Sequence, residues 1–179
     1  MDRDLSNYRP SKLFRGMPLE RRVEAADLFW NDEHSSEQQV EAVASIATHM
    51  KFRPRSILAL TPERRARYLA QLPTVSDAIA ARALVSYHLE RQRPMMGAFL
   101  DQLGIAHENG LISEENVPKP DAGKIKAAVE HLSANFPAED VSLYLATLVS
   151  QDPQTWDALI DQRYTSAAAR RPDSIAPFM

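Results

Sequence analysis

The chain of 179 residues contains no cysteine. Disulfides, thiol nucleophiles and cysteine-held zinc or iron–sulfur centres are excluded together, and the composition suits a reducing compartment. Glycine is scarce as well, five residues against twelve prolines. Neither a Gly-rich phosphate loop, a Gly-x-Ser-x-Gly elbow nor a Gly-x-Gly-x-x-Gly fingerprint is present. Nowhere do about 18 apolar residues run together, so no membrane-spanning helix is expected. The N-terminal MDRDLSNYRPSKLFRGM lacks the apolar centre of a secretory leader. The expectation is a soluble, cytoplasmic protein without a membrane partner.

Charge of either sign is also modest. The net charge is −3 and the pI near 6.0, a balance that argues against a dedicated nucleic-acid binder. Residues 1–93 carry a charge of +3 and residues 94–179 carry −6. The halves are mildly complementary, which serves packing within one molecule or association of two, and a partner protein or self-association is the expected mode of interaction.

What the chain does have is helix formers with legible punctuation. Thr61-Pro62 and Asp152-Pro153 each place an N-cap before a proline in the first helical position. Ser36 with Gln39 has the spacing of a capping box, and Ser76, Asp121 and Pro137 are further starts. Apolar stripes recur at helical spacing: Leu19/Val23/Ala26/Trp30, Val40/Val43/Ala44/Ala47/Met50, Ile125/Ala128/Val129/Leu132 and Val141/Tyr144/Leu145/Leu148. Helices are expected near 18–31, 36–50, 62–72, 76–92, 94–103, 122–134, 137–150 and 153–163, with an extra turn at 54–60. Residues 76–92 are apolar over most of their circumference, apart from a narrow Arg82/Ser86/Glu90/Arg93 stripe, and so should lie at the centre.

The fold expected is all-α: a single irregular, partly orthogonal bundle of about eight helices around 76–92. A short helical solenoid is the alternative. Residues 18–164 form the domain, 1–17 an extended N-terminal segment and 165–179 a mobile tail. The connection 104–121 is long for such a bundle. Gly104 closes the preceding helix, and Asn109-Gly110 between Ile105-Ala106 and Leu111-Ile112 signals a short hairpin at 105–112.

Five histidines could carry acid–base or metal chemistry. No two stand at helical ligand spacing, and there is no Glu-x-x-His, so no metal and no cofactor is expected. His34 is unremarked by any motif, His49 falls on the solvent side of its helix and His131 at the margin of its own. His88 projects among Ala81, Leu84 and Val85, where an imidazole needs a hydrogen-bond partner or a pocket. His107 and Glu108 sit beside the Asn-Gly turn, where an imidazole next to a carboxylate can act as an acid–base pair. One enzymatic or sensory reading therefore brings His88, His107 and Glu108 to one cleft. Arg53, Arg55, Arg64 and Arg67, with Lys51 and Arg65, form a basic cluster suited to phosphates or carboxylates. Nucleic-acid binding through it is a further alternative. No complete catalytic constellation emerges, and the reading leans away from an enzyme toward a protein-interaction or small-ligand-binding module.

Overall fold

Three of the helices, those starting at Pro62, Asp77 and Ala122, begin where the sequence supplies a side-chain oxygen for their first free amides. In the computed structural model, which describes residues 4–160, Thr61 Oγ1 accepts from the Arg64 amide at 3.4 Å and Ser76 Oγ from the Ile79 amide at 3.2 Å. Asp121 accepts from the amides of Gly123 and Lys124. Each such cap stabilises its helix by about 1 kcal/mol. The elements that result are α1 (Pro10–Gly16), α2 (Leu19–Trp30), α3 (Ser36–Met50), α4 (Pro54–Leu58), α5 (Pro62–Gln71), α6 (Asp77–Arg91) and α7 (Arg93–Leu103). A ribbon of β1 (His107–Glu108) and β2 (Leu111–Ile112) follows, then α8 (Ala122–Asn135) and α9 (Ala138–Gln151). No helix among the described residues is long and apolar enough to cross a membrane.

These helices form an all-α bundle. α6 packs against α1, α2, α3 and α7, while α2 also lies on α5 and α7 on α8. α1 also meets α9, and contacts between elements so far apart in sequence are what a bundle has and a solenoid, in which each unit meets only its neighbours, does not. The centre is shared with α9, whose ten consecutive residues from Asp140 to Val149 are all buried. Its apolar stripe alone, Val141/Tyr144/Leu145/Leu148, accounts for only one face of that burial.

The ribbon forms in the expected register, His107 opposite Ile112 and Glu108 opposite Leu111. Asn109 and Gly110 hold φ of 49° and 86°, the two positive values that a tight hairpin turn of matching twist requires. Gly104 ends α7 in the left-handed region at φ 67°.

Three local expectations give way to tertiary contacts. Residues 1–17 are not extended throughout: α1 forms within them, because Leu13 and Phe14 are 99% buried and Asp77 reaches across from α6 to accept from the Ser11 amide at 3.1 Å. The capping box at Ser36 is not made. Gln39 instead turns its amide onto the carbonyls of Phe29, Trp30 and Asp32, closing the end of α2. After Asp152, which accepts from the amide and hydroxyl of Thr155, the chain makes only a 3-10 turn at Asp157–Ile160 rather than a helix from 153. The end of that expected helix and the proposed tail at 165–179 lie outside the described residues.

Candidate functional site

The Thr147 hydroxyl organises a buried polar position between α6 and α9. It donates to the Leu143 carbonyl one turn back at 2.7 Å, and His88 Nε2 lies 3.0 Å from the same oxygen. A hydroxyl carries one proton, so its oxygen must accept from His88, which places the imidazole proton on Nε2. Nδ1 is then a bare lone pair, and it is buried without a hydrogen-bond partner. Burial lowers the His88 pKa from 6.5 to about 4, leaving the ring neutral at pH 7. Tyr87 and Tyr144 meet the ring edge-to-face at 5.8 and 5.7 Å.

A cavity of about 170 Å³ opens against this ring, between α6, α9 and the ribbon. Val85, Met96, Ile112 and Leu148 supply its apolar walls; Tyr144, Thr147 and Gln151 add polar groups, and no charged side chain among the described residues lines it. Gly110 forms part of the wall because the ribbon lies so close on α7 that a Cβ there would come within 2.7 Å of Met96 Cβ. Leu111, about half exposed, stands at the mouth. Apolar walls with a few converging polar groups are the ordinary makeup of a small-molecule site.

His88 and the ribbon thus share a cavity, but His107 and Glu108 do not line it. His107 Nδ1 accepts from the Gly110 amide at 3.0 Å and Nε2 lies 2.7 Å from Asp101 Oδ1, with the ring seated over Gly97. Its two nitrogens lock the turn to α7. Glu108 is exposed on β1. Thr147 and Tyr144 were legible only as residues of an apolar helix; the one signal was a hydroxyl amid the run from Val141 to Val149.

The Arg82/Ser86 stripe is occupied by Asp32, which the sequence left unmarked. Asp32 Oδ2 accepts from Arg82 Nη2 at 2.8 Å, Ser35 Oγ at 2.6 Å and Ser86 Oγ at 3.2 Å. Burial pushes the carboxyl upward, but the hydrogen bonds from Ser35, the His34 amide and Arg82 outweigh it and hold the pKa at about 2. With every oxygen engaged, this network staples the α2–α3 corner to α6.

Of the basic cluster, Arg53, Arg55, Arg64 and Arg67 are exposed and make no ion pair among the described residues. Arg65 departs from them, lying 5.1 Å over the Trp30 ring. Phe52 and Leu58 beside them are also exposed. His34, His49 and His131 are exposed; His49 lines a wider groove of about 640 Å³ between α3 and the 72–76 connection. The polar residues there, Glu41, Thr48 and His49, face water, so the groove offers a ligand little desolvated contact. No group of three His, Asp or Glu side chains among the described residues is placed to hold a metal ion. Compared with known proteins, the chain matches no family model, no curated protein and no solved structure.

Proposed function

We propose that this chain is a small-ligand-binding module and that its site is the His88 cavity. One observation carries the reading: a fully buried imidazole keeps an unpartnered nitrogen beside an apolar cavity. Leaving a buried polar atom unpaired costs about 1–3 kcal/mol, a cost that a ligand donor entering the cavity would relieve. The ligand implied is neutral, since nothing charged lines the walls, and carries one O–H or N–H donor. It is about the size of a single ring, because an apolar cavity of roughly 150 Å³ holds benzene. Phenol is the simplest probe. Titrated into the protein, it should saturate in the millimolar range, move the methyl resonances of Val85, Ile112 and Leu148, and shift the His88 Nδ1 resonance; toluene, which lacks the donor, should bind more weakly. Methyl shifts spread evenly over the protein, or none at all, would reject the site.

A second reading has its own support: four exposed arginines without carboxylate partners among the described residues, next to exposed Phe52 and Leu58. We infer that this face docks an acidic protein surface, since guanidinium groups pair with carboxylates in bidentate fashion. Partners captured on the full chain should then elute with salt and be lost from an Arg64→Glu/Arg67→Glu variant. Capture unaffected by either treatment would set this role aside, and retardation of RNA by the wild type alone would redirect it to nucleic acid.

A further inference from the structure

Gly110, Leu111 and Ile112 of the ribbon form the wall at the mouth of the His88 cavity, and the other residues that line it belong to helices. Strands of two residues make too short a ladder to stand alone, so the place of this wall depends on what ties it to α7. Three polar contacts do so. The Gly110 amide donates to His107 Nδ1 at 3.0 Å, His107 Nε2 lies 2.7 Å from Asp101 Oδ1, and Arg93 Nη1 donates to the Asn109 carbonyl at 3.0 Å. Two of the three pass through one imidazole.

This arrangement requires that imidazole to be neutral. A backbone amide can only donate, so Nδ1 presents a lone pair to Gly110, and the ring proton sits on Nε2, where it donates to Asp101. Protonation would place a second N–H on Nδ1, facing the Gly110 N–H. Two donors then oppose each other, and the bond that closes the turn is lost. The ring has little room to slide aside, because it lies over Gly97 so closely that a Cβ there would come within 3.3 Å of its Cε1. Asp101 would hold the imidazolium more firmly than the neutral ring, so the Gly110 amide is the group that gives way.

Among the described residues, α7 sets Asp101 beside the ring and Arg93 at its turn, and β1 adds the exposed Glu108. The two residues of β2 carry no charge; across the cavity α6 presents His88, and α9 presents Tyr144 and Gln151. His88 is no switch for mild acid, since its buried ring takes up a proton only near pH 4.

We propose that the ribbon is an acid-released wall: protonation of His107 frees the Gly110 amide, lifts Gly110, Leu111 and Ile112 from α7 and releases the ligand of the His88 cavity. The inference rests on that cavity being the ligand site. His107 acts in it as a positioning residue, outside the cavity it controls.

The test is phenol affinity of the full chain at about pH 7.5 and about pH 5, where ordinary imidazoles are neutral and charged respectively. Methyl resonances of Val85 and Leu148 report the ligand, and the Gly110 amide and Ile112 methyls report the ribbon. The wild type should bind phenol about tenfold more weakly in acid, the order expected for one lost hydrogen bond and the contacts it held. His107→Asn keeps an acceptor for the Gly110 amide but cannot be protonated, so its affinity should be the same at both pH values. Asp101→Asn keeps an acceptor for Nε2 and withdraws the charge that favours the imidazolium, so release should require lower pH. Wild-type affinity that ignores pH, or an equal loss in His107→Asn, would overturn the proposal. Phenol binding at neither pH would reject the cavity as the ligand site, and the ribbon resonances would still decide the latch. They should move with protonation of the His107 ring in the wild type and stay fixed in His107→Asn; ribbon resonances that ignore the ring would overturn it.

Discussion

His88 and Thr147, 59 residues apart in sequence, form one hydrogen bond 3.0 Å long between α6 and α9. It fixes the tautomer of the only buried imidazole among the described residues and joins α6 to α9 at the wall of the cavity. Replacing Thr147 by valine keeps the shape and removes the acceptor, leaving both ring nitrogens unsatisfied. The variant should lose about 1–3 kcal/mol, read as a lowered urea midpoint. An unchanged midpoint would mean that the Nε2 proton has another acceptor.

Acidification should act through the same ring. The unfolded chain takes up the His88 proton near pH 6.5 and the folded chain only near 4, so the unfolded state binds more protons in between. Stability contributed by this group is therefore complete above pH 6.5 and falls as pH drops toward 4, by up to about 1.4 kcal/mol per pH unit. Asp32 acts in a lower window: held at about 2 against 3.8, its contribution is complete above 3.8 and is lost as pH falls toward 2. Urea denaturation at pH 7.5, 6, 5 and 4 should show the first slope, and His88→Leu should flatten it. Equal slopes in the two proteins would show that other groups cause the loss.

Asp32→Asn keeps the size of the side chain and withdraws the charge that faces Arg82. Hydrogen bonds to charged groups contribute roughly 1.5–3 kcal/mol, and the melting temperature should drop accordingly. Arg82→Met alone should cost a similar amount. In the double variant the two losses should not add, because either one dismantles the same bond; strict additivity would mean that the pair is not coupled.

Two glycines with positive φ should respond differently to alanine. At Gly104 a Cβ meets nothing within 4 Å, so Gly104→Ala should cost only the left-handed backbone, about 1–2 kcal/mol. Gly110→Ala adds a Cβ 2.7 Å from Met96 Cβ. It should cost clearly more and should lift the ribbon from α7, changing the methyl resonances of Met96 and Ile112. Equal losses would mean that the ribbon yields without strain.

What could be read from the sequence was what neighbouring residues decide among themselves. Thr61-Pro62, Ser76 and Asp121 announce helix starts because the cap bonds within three residues, and Asn109-Gly110 announces its turn because the backbone angles demand those residues. α1 was missed because its burial depends on α6, and Gln39 was misassigned because its bonds run back to the preceding helix. His88 could be placed against the core and its need for a partner stated, but the cavity required the meeting of α6, α9 and the ribbon. His107 was singled out as chemistry and proves to be a turn lock, since which way a ring points from a two-residue strand is settled by Gly97 and Asp101.

The closure of α2 by Gln39 makes the protein sensitive to a change of one atom. Its single amide nitrogen serves three carbonyl oxygens at 2.9, 3.3 and 2.9 Å, a position only a donor can hold. Hydrolysis of that amide to a carboxylate would turn the donor into a charged acceptor facing three oxygens. The corner that positions Asp32 for Arg82 would then open, so the wear of one side chain would release the staple between α2, α3 and α6.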